Sequence, residues 1–399
     1  MDREQVLSDV APKLVALITS RIRTTQQRRE DWRYVKKEIE PELARLLGVD
    51  PDWPVKAYQL LAFDLDEERQ LCLLNYTPGA HNVLHDVANG EGWTSQIKQM
   101  RGLLFSFGEP GRVDQCKLVS CGFEKFFNRD EVPSTMTENL PMDEPFLVRR
   151  KEDGAMVEFF EHGGEVSATT RGRIVTPYVQ PALDLFGEST FYSAQRVARG
   201  FGVDLLSLVV EFIHPISKVH VDYDGWSGLY LLAAYDTDGR KVDHRILHAI
   251  RTNSELNLQT RMPHERAVTL RALIKEMGDR GIHNTEGWVA SVKDELIKFK
   301  YETYIGMMVA EKLSYRYVMN QMRNGRCQRM FHCLPEELRE EAWFMVKQLE
   351  DMVQMSTTYK PLYTLHGERE KGRDSFRQIC REFWKELSSD IQAGTFKAA

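Results

Sequence analysis

The sequence predicts an α+β chain: short strands in antiparallel sheets, entered through a helical segment and followed by an all-helical tail. Three observations predict it. Between about residues 55 and 300, short runs rich in β-branched and aromatic residues alternate with turn residues. Inside that stretch, a few segments switch to helical spacing. Before residue 50 and after residue 300, apolar residues recur three and four apart. The expected domains are therefore 1–54, a helical N-terminal extension; 55–304, the strand-rich domain; and 305–399, a helical C-terminal domain.

Each element follows from its pattern. Val6, Val10, Leu14, Leu17 and Ile18 share one helical face, and Ile39, Leu43, Leu46 and Leu47 repeat it before Gly48, a natural helix stop. The basic, polar stretch from Arg21 to Arg33 reads as a solvated face able to touch phosphates. Pro51 and Pro54 mark the change to strands, which are expected at Val55–Phe63, Gln70–Asn75, Gly102–Phe107, Lys117–Cys121, Phe146–Lys151, Met156–Phe160, Leu208–Ile213, Val219–Tyr223, Leu229–Tyr235, Trp288–Val292 and Leu296–Lys300. Helices are expected near Tyr178–Leu185, Tyr192–Arg199 and Glu265–Met277. Three more follow at Ile305–Met322, Glu336–Met352 and Ser375–Ile391, the middle one with Trp343, Val346, Leu349 and Met352 as a core stripe.

Composition excludes several classes. The 399 residues are 28% charged and 42% hydrophobic, ordinary for a globular chain, and no apolar run approaches the roughly 20 residues a membrane span needs. A formal net charge of −6 argues against broad duplex binding but leaves room for a basic groove around one nucleic-acid end. The six cysteines form no CxxC pair, and the N-terminus carries no signal-peptide pattern, so reduced thiols in the cytoplasm are expected. Cys327, His332 and Cys333 lack the partner ligands of a zinc site. The run from Gly367 to Ser375 imitates a phosphate-binding loop but carries Arg and Asp where Lys and Ser/Thr belong.

The chemistry concentrates in an ordered set of short motifs: Arg101-Gly102, Phe123-Glu124-Lys125, Lys151-Glu152-Asp153-Gly154, Val210-Glu211-Phe212, Glu286-Gly287-Trp288 and Lys298-Phe299-Lys300. Lys-x-Asp-Gly alone is a lysine beside an ordinary turn; the ordered set carries the meaning. Lysine attacks only when deprotonated, so nearby cations and partial burial should favour its neutral form. Arg101, Lys125, Lys298 and Lys300 could do so while clamping phosphates. Gly154 would let the backbone turn without a Cβ clash. Residues 298 and 300, two apart on a strand, would share one face with Phe299 on the other. Glu211 is a charge inside an apolar run, costly unless it is partnered.

This set resembles the covalent lysyl-nucleotidyltransferases and, in detail, the bacteriophage-type RNA ligase 1 family. The resemblance covers about residues 100–300. It implies a nucleotidyltransferase fold, ATP-grasp-like in its antiparallel sheets, with ATP in a cleft between them. It implies Lys151 as the nucleophile that carries AMP, with Lys300, the second lysine of the pair, on the α-phosphate and Lys298 beside it in the catalytic, nucleotide-binding set. Glu286 is implied to hold Mg2+ or Mn2+, and Glu211 to accept from the ribose. Arg101, Lys125, Glu152, Gly154, Arg171 and Tyr76 complete the implied nucleotide site. The implied activity is ATP-dependent joining of RNA 5′-phosphate and 3′-hydroxyl ends in RNA or tRNA repair. The substrates would be single strands or broken anticodon loops, and the enzyme a monomer in the cytoplasm, the host's if phage-encoded. A tRNA-splicing ligase domain and a catalytically silent RNA-binding repair protein are the alternatives. The helical tail, in place of a five-stranded barrel, argues against DNA ligases and capping enzymes.

Overall fold

The computed structural model describes residues 1–22, 35–85, 92–217, 220–252, 260–293, 295–323, 325–334 and 336–358. It forms two compact units, one of residues 1–276 and 285–300, the other of residues 277–284 and 301–399. Among the described residues no helix is long and apolar enough to cross a membrane.

The first unit carries fourteen described strands in three sheets. The strands are β1 (Leu61–Asp66), β2 (Leu71–Tyr76), β3 (Arg101–Ser106), β4 (Lys117–Ser120), β5 (Phe127–Asn128), β6 (Pro145–Lys151) and β7 (Ala155–His162). They continue with β8 (Glu165–Thr170), β9 (Leu205–Ile213), β10 (Gly228–Asp236), β11 (Thr260–Arg261), β12 (Glu265–Thr269), β13 (Gly287–Val292) and β14 (Glu295–Lys300). The sheet orders are β1-β2-β3-β4, β11-β10-β9-β7-β8 and β12-β6-β13-β14-β5. Pairing is antiparallel except where β11 joins β10 and β5 joins β14, both parallel additions at a sheet edge. The fold is α+β.

The N-terminal helical residues Arg3–Gln5, Val6–Val10 and Ala11–Arg21, with the helix Glu40–Leu47, bury their apolar faces in one core with the first sheet. Val6, Leu14, Ile18 and Leu43 are fully buried there, each stabilising by roughly 1.5–3 kcal/mol. Gly48 closes the second helix in the left-handed region, at φ 66°. Arg3 fastens the N-terminus, donating to Gln99 Oε1 and to the carbonyls of Gly122 and Gly239. A second core lies between the β7–β9–β10 sheet and the helices Val179–Phe186, Glu188–Arg199 and His244–Thr252.

Several elements differ from the expected ones, each for a physical reason. Residues 57–59 form a 3-10 turn, whose Ala57 and Tyr58 N–H groups donate to Glu40, so the strand begins only at Leu61. No strand forms at 220–223: the N–H groups of His220 and Val221 donate to the Asp153 carboxylate instead of a ladder. The helix expected over Glu265–Met277 is divided. Glu265–Thr269 pairs with Arg149–Pro145, and only Leu270–Met277 is helical, because cross-strand partners override local propensity. The strands β5 and β8 and the helix His244–Thr252 carried too weak a pattern to be expected.

In the second unit the expected Ile305–Met322 helix is two, Glu302–Lys312 and Tyr315–Arg323, with the Ser314 hydroxyl accepting from Tyr317 N–H at the second start. These pack with Cys327–Cys333 and Glu336–Thr358 around Val318, Met330, Val346 and Leu349. Trp343 departs from the expected stripe: it is 56% exposed and contacts Phe331 rather than joining the core. The segments Arg23–Arg33, Gly367–Ser375 and Ser375–Ile391 lie outside the described residues.

Candidate active site

Strand register assembles the site. Lys151, the last residue of β6, stands opposite Gly287 of β13, which stands opposite Lys300 of β14. One pleat away, Arg149, Val289, Lys298 and Asn128 align in the same way across four strands. Side chains two apart on a strand share a face, so Lys151 and Arg149 project together with Lys300 and Lys298. Phe299, between the lysines, is buried at 1% exposure on the opposite face. The face expected for the lysine pair is the one observed.

Glu286 immediately precedes the glycine of the first row. Its carboxylate bridges both lysines, at 2.6 Å to Lys151 Nζ and 2.7 Å to Lys300 Nζ, and is nearly shielded from water. Gly287 makes this possible. At φ 150° an added Cβ would stand 2.0 Å from the Phe299 carbonyl oxygen, so no larger residue lets the strands close.

The turn after Lys151 is clipped from two sides. Asp153 accepts from His220 and Val221 N–H, at 2.6 and 3.1 Å, and its own N–H donates to Tyr223 Oη at 2.7 Å. The Tyr223 hydroxyl donates to Glu152 at 3.2 Å. Burial, only partly offset by Arg150, raises the Glu152 pKa. Gly154 is required by close approach rather than by a left-handed turn: an added Cβ would sit 2.5 Å from the Phe212 carbonyl oxygen. Its N–H donates to Glu211 Oε1 at 3.1 Å. Burial pushes the Glu211 carboxyl up to about 7, with Lys151 opposing and Glu286 assisting.

The electrostatics of the two key lysines run opposite ways. Burial alone would lower the Lys151 pKa, but the Glu286 and Glu211 carboxylates outweigh it and raise it. Lys151 is therefore held protonated, contrary to the neutral form expected from surrounding cations. Lys298 carries the lowered pKa instead, through burial and then the charges of Lys125, Arg101 and Lys151. Its ammonium donates to the Phe126 carbonyl at 2.8 Å and lies 4.3 Å over the Phe126 ring.

Arg101 donates to the Phe123 carbonyl at 3.1 Å, and Arg171 to Tyr76 Oη at 3.1 Å. Tyr76 is buried against Trp93 and supports Arg171 from behind. Lys125 turns to Glu131 at 3.4 Å and to the Phe127 ring, and it is not part of the cavity wall.

These groups surround a cavity of about 670 Å³ between the second and third sheets. Arg101, Lys151, Glu152, Arg171, Glu211, Glu286, Lys298 and Lys300 line it, alongside the apolar Phe123, Phe126, Met156, Leu231 and Val289. Sequence reasoning missed the lining residue Arg149, which its place two residues before Lys151 could have revealed, and Lys241, which had no such signal. It also missed Asp153 and Tyr223 as clips of the turn. A mixed wall of this kind suits a nucleotide, with apolar surface for a base and eight lysine and arginine side chains for phosphates. Among the described residues no three His, Cys, Asp or Glu side chains are grouped to hold a metal alone. One buried carboxylate, Glu286, with phosphate oxygens and water fits the way Mg2+ is commonly bound.

A family model described as RNA ligase matches residues 99–305, just over half of the 399 residues. A candidate RNA ligase of Thermovibrio ammonificans is 24% identical over 311 residues, which are 73% of this chain and 77% of that protein. Among solved structures, form 1 of an archaeal ATP-dependent RNA ligase is 16% identical and covers 84% of this chain and 85% of its own, with a TM-score of 0.47. A Naegleria gruberi RNA ligase mutant with ATP and manganese is 14% identical, covering 41% of this chain and 52% of its own, with a TM-score of 0.32. The family match opens just before Arg101 and closes just after Lys300, taking in Lys125, Lys151, Glu211 and Glu286: this chain belongs to the RNA ligase family.

Proposed function

We propose that the chain is an ATP-dependent RNA ligase joining 5′-phosphate and 3′-hydroxyl RNA ends, with Lys151 as the residue that carries AMP. The observation that supports this reading best is the Lys151–Glu286–Lys300 bridge at the wall of a nucleotide-sized cavity. Lys151 would attack the α-phosphate, displace pyrophosphate and hold AMP through a phosphoamide bond. AMP would pass to the RNA 5′-phosphate, and a 3′-hydroxyl would displace it as the strand is sealed. Lys298 and Lys300 would steady the charge that builds on the α-phosphate, and Arg101 and Arg171 the outer phosphates. Glu211, with one oxygen on the Gly154 N–H, would offer the other to ribose hydroxyls. Glu286 would help to hold a divalent cation, Mg2+ or Mn2+, which would supply charge neutralisation for the phosphates. Lys151 must lose its proton before attack, and Glu286 is the carboxylate within reach of it.

Single-stranded or broken anticodon-loop RNA would be the substrate, RNA repair the setting, and a cytoplasmic monomer the working form. Incubation with α-labelled ATP should label the protein. Adding a 5′-phosphorylated RNA oligomer should give circles and an adenylylated RNA intermediate. Label that persists in Lys151→Ala, or RNA left unchanged by the labelled enzyme, would overturn the reading.

A further inference from the structure

Beside the turn after Lys151, aromatic and guanidinium planes form a shelf. The Tyr223 ring meets Trp226 with centroids 6.3 Å apart, and Trp226 meets Tyr230 edge-on at 5.3 Å. The Arg261 guanidinium lies over the Trp226 ring at 4.1 Å. The three rings are half-buried, while Arg261 is exposed. Arg150 stands 3.9 Å from Glu152 with 40% of its side chain open to water. Glu152 is the carboxylate that faces both guanidinium groups.

The shelf adjoins the cavity through Arg150, Glu152 and the strand partner of Tyr230. Tyr230 is in register with Glu211 of β9, and Arg150 and Glu152 line the cavity wall. Here a planar cation covers an indole, and the arginine that carries it is exposed. Stacked nucleobases favour both aromatic faces and guanidinium planes, and a neighbouring cation suits the phosphate that follows the base.

We infer that this shelf seats one unpaired base of the RNA beside its reacting end, stacked on the Arg261–Trp226 pair with its phosphate at Arg150. The inference rests on the RNA ligase reading and adds where that RNA lies. The adenine of ATP is the competing occupant, and step-resolved kinetics separate the two.

The test uses the full chain carrying Arg261→Ala or Trp226→Ala, with Arg261→Lys and Trp226→Phe as conservative partners. Three Michaelis constants are measured: ATP in self-adenylylation, a 5′-phosphorylated oligomer in AMP transfer, and the acceptor strand in sealing of pre-adenylylated RNA. A stacked base contributes roughly 1–3 kcal/mol, so the alanine variants should raise one RNA constant about 5- to 150-fold. ATP should stay within about twofold, and Trp226→Phe should retain most of the affinity. The RNA constant that rises identifies the donor or the acceptor strand. Unchanged RNA constants, or an equal rise for ATP, would overturn the inference. Should Trp226→Ala fail to fold, the exposed Arg261 decides alone. A wild-type chain that labels itself but ignores RNA would instead remove the enclosing reading.

Discussion

Glu286 sits between two ammonium groups that would otherwise repel, and neither lysine can be altered without changing what the carboxylate does to the other. Lys300→Ala leaves Glu286 facing Lys151 alone, which tightens the hold on its proton and, on the proposed reading, removes a cation from the α-phosphate. Self-adenylylation should slow by about 10²- to 10³-fold, the usual cost of losing one preorganised electrostatic partner. The melting temperature should move little, since Lys300 is partly open to water. Rapid-quench labelling with α-labelled ATP measures the rate; an unimpaired rate would leave Lys300 outside the chemistry. At this scale the sequence disclosed which residue types gather, but not the sign of the shift at Lys151. Cations near Lys151 were visible in the motifs. The outcome depends on Glu286 standing closer to it than any cation does, a distance only the strand register sets.

The third sheet brings those residues together, and its weakest tolerance is at Gly287. An alanine there would place Cβ 2.0 Å from the Phe299 carbonyl oxygen and 2.9 Å from the Lys300 Cα, at a φ that side chains rarely adopt. Gly287→Ala should cost about 1–3 kcal/mol in backbone strain alone and displace β14 from β13. Adenylylation should then fall more steeply than in Lys300→Ala, because Lys298 and Lys300 move together. Thermal melting and labelling, measured in parallel, check both effects; a variant with wild-type melting and labelling would show that the strands close without the glycine. Elements with a strong two-residue alternation, such as β13 and β14, were legible in the sequence. Those formed by tertiary partners were not. Glu265–Thr269 became a strand because β6 offered it a ladder, and residues 220–223 lost theirs to the Asp153 carboxylate.

Across the molecule, stability is coupled to pH through two buried carboxyls, Glu158 and Glu211. Burial raises each to about 7 from an ordinary carboxyl value of 4.5. Glu158 is fully buried. Ser120 donates to one of its oxygens at 2.7 Å, and the other has no hydrogen-bond partner among the described residues. Gly102 and Gly122 leave it room: an added Cβ would stand 3.0 and 2.5 Å, respectively, from that second oxygen. A carboxyl raised in the folded state favours folding fully below its unfolded pKa, and that contribution is lost as pH climbs to the folded value. Stability should therefore decline between about pH 4.5 and 7, by at most about 3 kcal/mol for Glu158. Glu211 should add less, because it borders the open cavity. Glu158→Gln keeps the shape of the protonated acid without its ionisation. Its melting temperature should match wild type at pH 5 and exceed it by a few degrees at pH 8, measured by calorimetry at both values. A shift of equal size at the two pH values would mean that ionisation at this site does not govern the decline, and that the buried charge is compensated by Arg101 and Arg3.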